Sequence, residues 1–341
     1  VPHLIILCFL ADNRQFCPVI RFTAPPTASS LSTLYIYSQA DVLRTGQDVA
    51  SQRYAHLPYG GPMKIHHLNC GCMCPLGGAF YDGFSKGLKA HLVCHCLLIE
   101  TDRDGLVLVD TGFGRQDIHA PGSRLSGFFR ALNNIQRRDE LTALSQVTSL
   151  GFRAEDVRHI ILTHLDFDHA GGLTDFPQAR IHLLQQEVDT AHQRHSWLSR
   201  ERYRPGQWGG ISNWETYQPQ GEKWFGFEAV NRLRDLPPEI LLVPLAGHTP
   251  GHAGIAIQQP DGWLLHGGDA WFYRGEMRQQ TRHCTPGLRF YQWMMGMDNV
   301  ARRHNQQRLR ELSCQRGGEI TFFCSHDARE LDALQVNAPL R

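Results

Sequence analysis

The sequence predicts an α/β sandwich, and two observations support that prediction. From residue 63 onward, short apolar runs typical of buried strands alternate with segments of helical spacing. Several of the apolar runs are followed at once by histidine and aspartate residues. Interleaved strands and helices favour a sandwich of sheets and helices, and loops at the ends of its strands can direct several side chains toward one point.

The predicted elements follow one another along the chain. Strands over residues 91–100 and 106–109 flank a tight turn, which predicts a hairpin. Helical spacing over residues 139–150 ends at Gly151, a common residue at the end of a helix. The other predicted elements are strands over 158–163 and 180–184, a helix over 185–195, strands over 241–245, 253–258 and 262–265, one or two helices over 286–315 and a strand over 320–324.

Residues 1–62 differ in composition and in hydrophobic pattern from the rest of the chain. They contain Pro25-Pro26 and a stretch rich in serine and threonine, and they show no sustained periodicity. The patterned region opens at Met63. We therefore expect residues 1–62 to be a disordered or non-native N-terminal extension and residues 63–341 to be the folded domain. The alternative is a genuine N-terminal region with weak patterning.

The composition argues against some classes of binding partner. Lys and Arg number 34 and Asp and Glu 33, a formal net charge of +1, which gives no electrostatic footprint for nucleic acid or an anionic membrane. No apolar run approaches the roughly 20 residues that span a bilayer, and no signal peptide is recognisable. We expect a cytoplasmic protein with a small-molecule substrate, without nucleic-acid or membrane partners. The sequence does not indicate an oligomeric state.

The cysteines show a C-x-C spacing. Of the ten in the chain, three fall at Cys70, Cys72 and Cys74 and two at Cys94 and Cys96. Alternate residues of a strand share one face. We therefore interpret them as small apolar residues packed side by side, in preference to a second metal site.

Potential metal ligands are concentrated behind the strand over residues 158–163. Four of them lie within six residues, and two glycines then allow a sharp turn. Solvated or capping residues rarely reach this density at the end of an apolar strand, so the pattern predicts a metal site. Later strands end in further histidine and aspartate residues. The full candidate set is His164, Asp166, Asp168, His169, His248, Asp269 and His326.

This ordered set of residues resembles the metallo-β-lactamase superfamily. The family motif H-x-H-x-D-H, a distant His, a bridging Asp and a final His match the seven residues, and a strand-ending D-T-G matches Asp110-Thr111-Gly112. Within the superfamily, the blocks H-x-x-x-D-H-A-G-G, G-H-x-P-G-H and D-A are most similar to those of N-acyl-homoserine lactonases. The resemblance covers residues 63 to about 330 and implies a four-layer αββα sandwich with the site at one edge between the sheets.

The resemblance also implies two divalent metal ions. His164, Asp166 and His248 would hold one ion, and Asp168, His169 and His326 the other, with Asp269 and a hydroxide bridging them. The family implies zinc. Asp166, however, stands where the family usually has His, and a carboxylate is a harder ligand, so iron or manganese is the alternative. Asp168 would also be catalytic, by accepting and returning a proton, while His252 is expected to pack behind the ligands.

The substrate contacts are predicted from aromatic residues. Phe272 takes the place of a tyrosine in the lactonases, with Tyr273 beside it. Residues 196–227 contain Trp208 and Trp214 and form either a substrate wall or a satellite core. The function implied is hydrolysis of a small lactone or ester. The alternatives are a glyoxalase-II-like thioesterase, a phosphodiesterase, or a non-catalytic sensing module on the same fold.

Overall fold

The computed structural model describes residues 63–277 and 282–336. The predicted N-terminal extension over residues 1–62 lies outside this range. The described residues form two sheets with helices. In the first sheet the strand order is β4-β1-β2-β3-β5-β6-β7, with β1 Lys64–Met73, β2 Leu92–Glu100, β3 Leu106–Val109, β4 Ile135–Gln136, β5 Val157–Ile161, β6 Arg180–Leu184 and β7 Trp214–Tyr217.

The second sheet follows in the chain. Its strand order is β13-β12-β11-β10-β9-β8, with β8 Glu222–Trp224, β9 Phe227–Arg232, β10 Ile240–Pro244, β11 Ala253–Gln259, β12 Gly262–His266 and β13 Ile320–Phe323. β12 and β13 pair in parallel, with His266 opposite Phe323. The segments that leave these two strands therefore start at the same edge of the sheet.

The helices of the described residues are mostly short. They are α1 Ala79–Asp82, α2 Arg115–His119, α3 Pro121–Arg124, α4 Gly127–Leu132, α5 Ala143–Ser149, α6 Gln185–Gln193, α7 Trp197–Arg202, α8 Pro205–Trp208, α9 Pro286–Met295, α10 Asn299–Arg316 and α11 Ala328–Val336. No helix in the described part of the chain is long and apolar enough to cross a membrane.

The core has two main layers, as in an αββα sandwich. Between the sheets, Ile99 and Val109 of the first sheet share one buried cluster with Leu242 and Ile255 of the second. On the outer face of the first sheet, a separate cluster joins strand residues to buried residues of α5 and α6, such as Val147. Strands buried on both faces explain the continuous apolar runs in the sequence.

Most of the predicted elements are present. The hairpin is formed by β2 and β3, and β6 has the predicted bounds. The helix predicted over residues 139–150 is corrected to a 3-10 turn at Asp139–Leu141 followed by α5, because the Thr142 side chain caps a new helix by accepting a hydrogen bond from the Ser145 amide. β1 was not predicted: its first half is partly exposed and its second half buried, so it has no single period.

Residues 196–227 are not a featureless insertion. They contain α7, α8, β7 and β8, and β7 extends the first sheet beside β6 while β8 begins the second. Short strands and four-residue helices carry too few residues for a periodic signal, which is why the sequence did not reveal them.

Candidate metal centre

All seven predicted ligands converge in one buried cluster. Each side chain comes from a loop that leaves a strand: β5 for His164 through His169, β10 for His248, β12 for Asp269 and β13 for His326. None of the seven residues is more than 5% exposed. The cluster therefore combines one loop of the first sheet with three loops of the second.

The Asp269 carboxylate stands between two groups of ligand atoms. Its Oδ2 is 3.3 Å from Nε2 of His248 and 3.7 Å from Nε2 of His164. Its Oδ1 is 3.1 Å from Nε2 of His326 and 3.3 Å from Nε2 of His169. The two oxygens of one carboxylate thus face two different groups, which is the arrangement that a bridging ligand requires.

The two remaining carboxylates belong to different groups. Asp166 Oδ2 lies 3.0 Å from His248 Nε2 and 3.4 Å from His164 Nε2. Asp168 Oδ2 lies 3.7 Å from His326 Nε2, and its Oδ1 lies 3.9 Å from His169 Nε2. We call the group of His164, Asp166 and His248 the first subsite, and the group of Asp168, His169 and His326 the second subsite.

Hydrogen bonds at the other ring nitrogen orient His169 and His326. Nδ1 of His169 lies 2.8 Å from Asp110 Oδ2, and Nδ1 of His326 lies 2.7 Å from the Val93 carbonyl. Asp110 directly follows β3 and has a left-handed φ of 55°, and its two oxygens also accept hydrogen bonds from the amide and hydroxyl of Thr163. Such partners fix the tautomer and leave Nε2 free to bind a metal.

Several buried polar atoms of the cluster are available to a metal ion. Nε2 of His164, Nε2 of His169 and Oδ1 of Asp269 are buried, and no hydrogen bond satisfies any of them. An unsatisfied buried polar atom is costly, so such atoms call for a further partner. Imidazole nitrogens and carboxylate oxygens are suitable donors for zinc, iron or manganese.

His252 has a different role from the seven. Its Nδ1 lies 3.1 Å from the Leu245 carbonyl, and its Nε2 accepts a hydrogen bond from the Asp269 amide at 2.9 Å. Both ring nitrogens are therefore occupied. His252 holds the backbone of Asp269 in place, in agreement with the expectation that it packs behind the ligands.

Opposing charges shift the pKa values within the cluster. Burial alone would raise the pKa of Asp269, but the adjacent His326, His169 and His248 hold it well below its usual range. Burial raises the pKa of Asp168, although His169 and His326 oppose the shift. The two aspartates therefore differ: Asp269 is held ionised, and Asp168 has a raised affinity for a proton.

Arg202 is a member of the cluster that the sequence did not reveal. It ends α7 and is fully buried, and its Nε and Nη2 donate to Oδ1 and Oδ2 of Asp166 at 2.7 and 2.5 Å. Its Nη2 also lies 2.8 Å from Nε2 of His248. Asp166 thus points into the cluster and is paired with a guanidinium there.

Glu187 of α6 was missed as well. Its Oε1 accepts a hydrogen bond from the Leu165 amide at 3.0 Å, and its Oε2 accepts from the Thr249 hydroxyl at 2.7 Å and the Gly251 amide at 3.2 Å. One buried carboxylate therefore holds together the two loops that carry His164 and His248. A lone glutamate in a polar helix gave no sequence signal for this role.

The predicted substrate contacts occupy different places. Phe272 stacks on the ring of His326, with centroids 5.0 Å apart, and packs against Tyr291 of α9. Tyr273 lies beneath the Arg274 guanidinium. Trp208 and Trp214 pack with the core on the outer face of the first sheet. Of the four predicted substrate contacts, Phe272 is thus the one whose ring contacts a proposed ligand residue in the described part of the chain.

The cysteines divide into two groups. Cys70, Cys94 and Cys96 are buried on β1 and β2, as expected for packing residues, and the sulfur of Cys94 lies near the ligand atoms of Asp168 and His326. Cys72 Sγ is instead 3.5 Å from Cys74 Sγ and 3.3 Å from His91 Nδ1. This half-buried group is separate from the seven-residue cluster.

The fold and the two-part cluster define a class of protein. Residues 91–282 match the metallo-beta-lactamase superfamily, and the chain belongs to that superfamily. A relative named "probable metallo-hydrolase" in Mycobacterium tuberculosis is 41% identical over 268 residues, which cover 79% of this chain and 81% of the relative. Family, fold and cluster together support a metal-dependent hydrolase.

More distant relatives are lactonases by name. An N-acyl homoserine lactonase of Bacillus cereus is 26% identical over 184 residues, which cover 53% of this chain and 64% of that protein. The solved structure of an N-acyl homoserine lactone hydrolase with N-hexanoyl-L-homoserine at its catalytic metal center has a TM-score of 0.59 and 22% identity, and covers 80% of this chain and 96% of that one. This likeness shows the fold.

Proposed function

We propose that this protein is a metal-dependent hydrolase that opens a small lactone or another carboxylic ester. The observation that supports this most is the position of Asp269, whose two oxygens face the two subsites within 3.1–3.7 Å of four histidine nitrogens. The ligands we propose are His164, Asp166 and His248 for one divalent ion, Asp168, His169 and His326 for the other, and Asp269 between them.

Metal ions bound in these subsites supply Lewis acidity and a water molecule that ionises near neutral pH. Of the protein's own groups, Asp168 is suited to move the proton. Burial raises the pKa of its carboxyl, so it can accept a proton from the attacking water and return it to the leaving oxygen. Asp110, by holding His169, keeps the second subsite in place.

A cavity that borders Arg202, the charge partner of Asp166, provides room for part of a substrate. Its volume is about 420 Å³, and its lining combines Leu198, Pro250, Met295 and Met297 with polar residues such as Arg194 and Ser196. Leucine and methionine side chains offer an apolar, adaptable surface. This lining suits the acyl part of an ester, which agrees with the lactonase names of the distant relatives. Within residues 196–227, we propose Leu198 as a residue that contacts the substrate.

Replacement of Asp269 tests the proposal. Asp269→Ala removes the ligand shared by both subsites, so we expect the bound metal and the hydrolysis of an N-acyl-homoserine lactone to fall together, while circular dichroism stays close to that of the parent. The matched control is Asp261→Ala, at an exposed position of the turn before β12. Undiminished hydrolysis in Asp269→Ala would refute the metal assignment.

A substrate panel separates the alternatives. We expect zinc, manganese and iron forms to hydrolyse the lactone faster than a thioester or a phosphodiester. Preference for the thioester would favour a glyoxalase-II-like enzyme. Metal binding without turnover of any substrate would favour a sensing module. We further propose zinc as the physiological ion and a cytoplasmic location.

A further inference from the structure

Arg202 is anchored to the first subsite from three sides. Its Nε and Nη2 form a bidentate pair with Asp166, and its Nη1 donates to the Met295 carbonyl at 2.7 Å. The side chain has no exposed surface. An arginine side chain stays charged at any pH at which proteins fold. Because these contacts hold its planar guanidinium in place, Arg202 is a fixed positive charge.

The third contact of Arg202 involves the atom of His248 that a metal would need. Nη2 lies 2.8 Å from His248 Nε2, which is also 3.0 Å from Asp166 Oδ2. An imidazole nitrogen has a single site for a proton or a partner in the plane of its ring. In one tautomer it accepts from Arg202, and in the other it donates to Asp166. In either state Nε2 is already engaged.

The second subsite has no such competitor. Among the described residues, no hydrogen bond or ion pair joins an arginine or lysine to Asp168, His169 or His326. His169 Nε2 and Asp269 Oδ1 have no hydrogen-bond partner. A dication entering there meets carboxylates and the unbonded Nε2 of His169, whereas a dication entering the first subsite meets a positive charge within contact distance of two of its ligands.

We propose that Arg202 is a resident cation of the first subsite and that the two subsites are unequal. The second subsite, completed by Asp269, is the tight metal site. A metal fills the first subsite only by displacing the Arg202 Nη2 hydrogen bond from His248, and otherwise Arg202 supplies the positive charge on that side of the cavity. This inference rests on the proposed function, because it assumes the metal ligands named there.

Metal titration of the full chain tests the inequality. Chelator-treated protein is titrated with Mn²⁺ or Zn²⁺, and bound metal is counted by mass spectrometry after equilibrium dialysis. We expect one tight ion per chain and a second that binds about 10- to 100-fold more weakly, the range found when a group contacting metal ligands is altered. With one equivalent of Mn²⁺, electron paramagnetic resonance should show an uncoupled mononuclear signal.

Two variants make the test specific. Arg202→Met frees His248 and leaves Asp166 without its cation, so the two affinities should become similar. If that variant does not fold, Asp166→His with Arg202→Met removes both charges and should also hold two ions tightly. The matched control is Arg124→Met, which breaks the buried ion pair with Asp117 without touching a proposed ligand. All counts are repeated with Cys74→Ser, to exclude metal held by Cys72, Cys74 and His91.

The outcomes are distinct. Two equally tight ions in the parent chain, or loss of an ion in Arg202→Met, would overturn the inference and leave the proposed function standing, because Arg202 would then support the first metal. A parent chain that binds no ion would overturn the proposed function together with the inference.

Discussion

At the scale of single residues, the position at which this chain departs from its family forms an ion pair with a second residue. Asp166 stands where the family usually has a histidine, and Arg202, far along the chain, is its charge partner. The sequence showed the first half of this pair because it falls inside a recognisable motif. It could not show the second, because nothing in the local pattern of α7 distinguishes a buried arginine from an exposed one.

Because of this ion pair, replacing Asp166 by the histidine that the family usually has should alter the stability of the protein. Asp166→His alone leaves the Arg202 guanidinium buried without its carboxylate, and breaking a buried ion pair costs about 3–5 kcal/mol. We expect urea unfolding of the metal-free variant to show a loss of that order. The double variant with Arg202→Met should recover most of it. Equal stability of the single variant and the parent would show that the pair is not formed in solution.

At the scale of elements, α6 links the loops that carry the ligands. The backbone of Gly251 approaches α6 so closely that an added Cβ would lie 2.2 Å from the Glu187 amide nitrogen, and Glu187 binds the loops after β5 and β10. Burial raises the pKa of the Glu187 carboxyl, which the hydrogen bond from Thr249 partly opposes. The geometry of the first subsite therefore depends on a helix that contributes no ligand.

Glu187→Gln tests this dependence. The carboxylate accepts from two backbone amides, and a glutamine would bring an NH2 donor toward at least one of them. We expect the free energy of unfolding to fall by about 1–3 kcal/mol and metal affinity to fall about 10-fold or more, measured by urea unfolding and dialysis. Asp189→Asn, the same change on the exposed face of α6, serves as control. A variant with unchanged metal affinity would contradict the linking role.

The sequence predicted some secondary-structure elements and part of the candidate site, and it missed others. β6 and the β2–β3 hairpin were found because each is an apolar run bounded by turn residues. The convergence of the seven candidate ligands also agrees with the prediction, because each follows a strand. Glu187 and Arg202 depend instead on contacts between residues 22 to 64 positions apart, and such contacts are set by packing rather than by any local period.

At the scale of the whole molecule, the partly buried His67 and the buried His182, both outside the candidate centre, should make stability depend on pH. Burial, followed by the neighbouring His266, lowers the pKa of His67 to about 4, and burial, followed by the neighbouring His159, lowers that of His182 to about 3. In the unfolded chain both rings take up a proton near pH 6.5. The unfolded state therefore binds more protons below that pH, and unfolding becomes easier as the pH falls.

These two rings together should lower the free energy of unfolding by roughly 4 kcal/mol between pH 8 and pH 5. Urea unfolding at a series of pH values measures it. His67→Gln and His182→Gln should each flatten the dependence, whereas His304→Gln, at an exposed position of α10, should leave it unchanged. The same pH dependence in the parent and in both variants would rule out neutral rings at His67 and His182.

The distribution of the ligands over the loops also has a consequence for synthesis. His164 through His169 emerge from the ribosome first, and the carboxylates and imidazoles gathered there have no counterparts until the second sheet is made. His248 and Asp269 follow, and His326 comes only after α9, α10 and β13. Because His326 lies directly behind β13, a nascent chain cannot assemble the second subsite until that strand has paired beside β12. We therefore expect the second subsite to form late in the making of this protein, only once the second sheet has been completed.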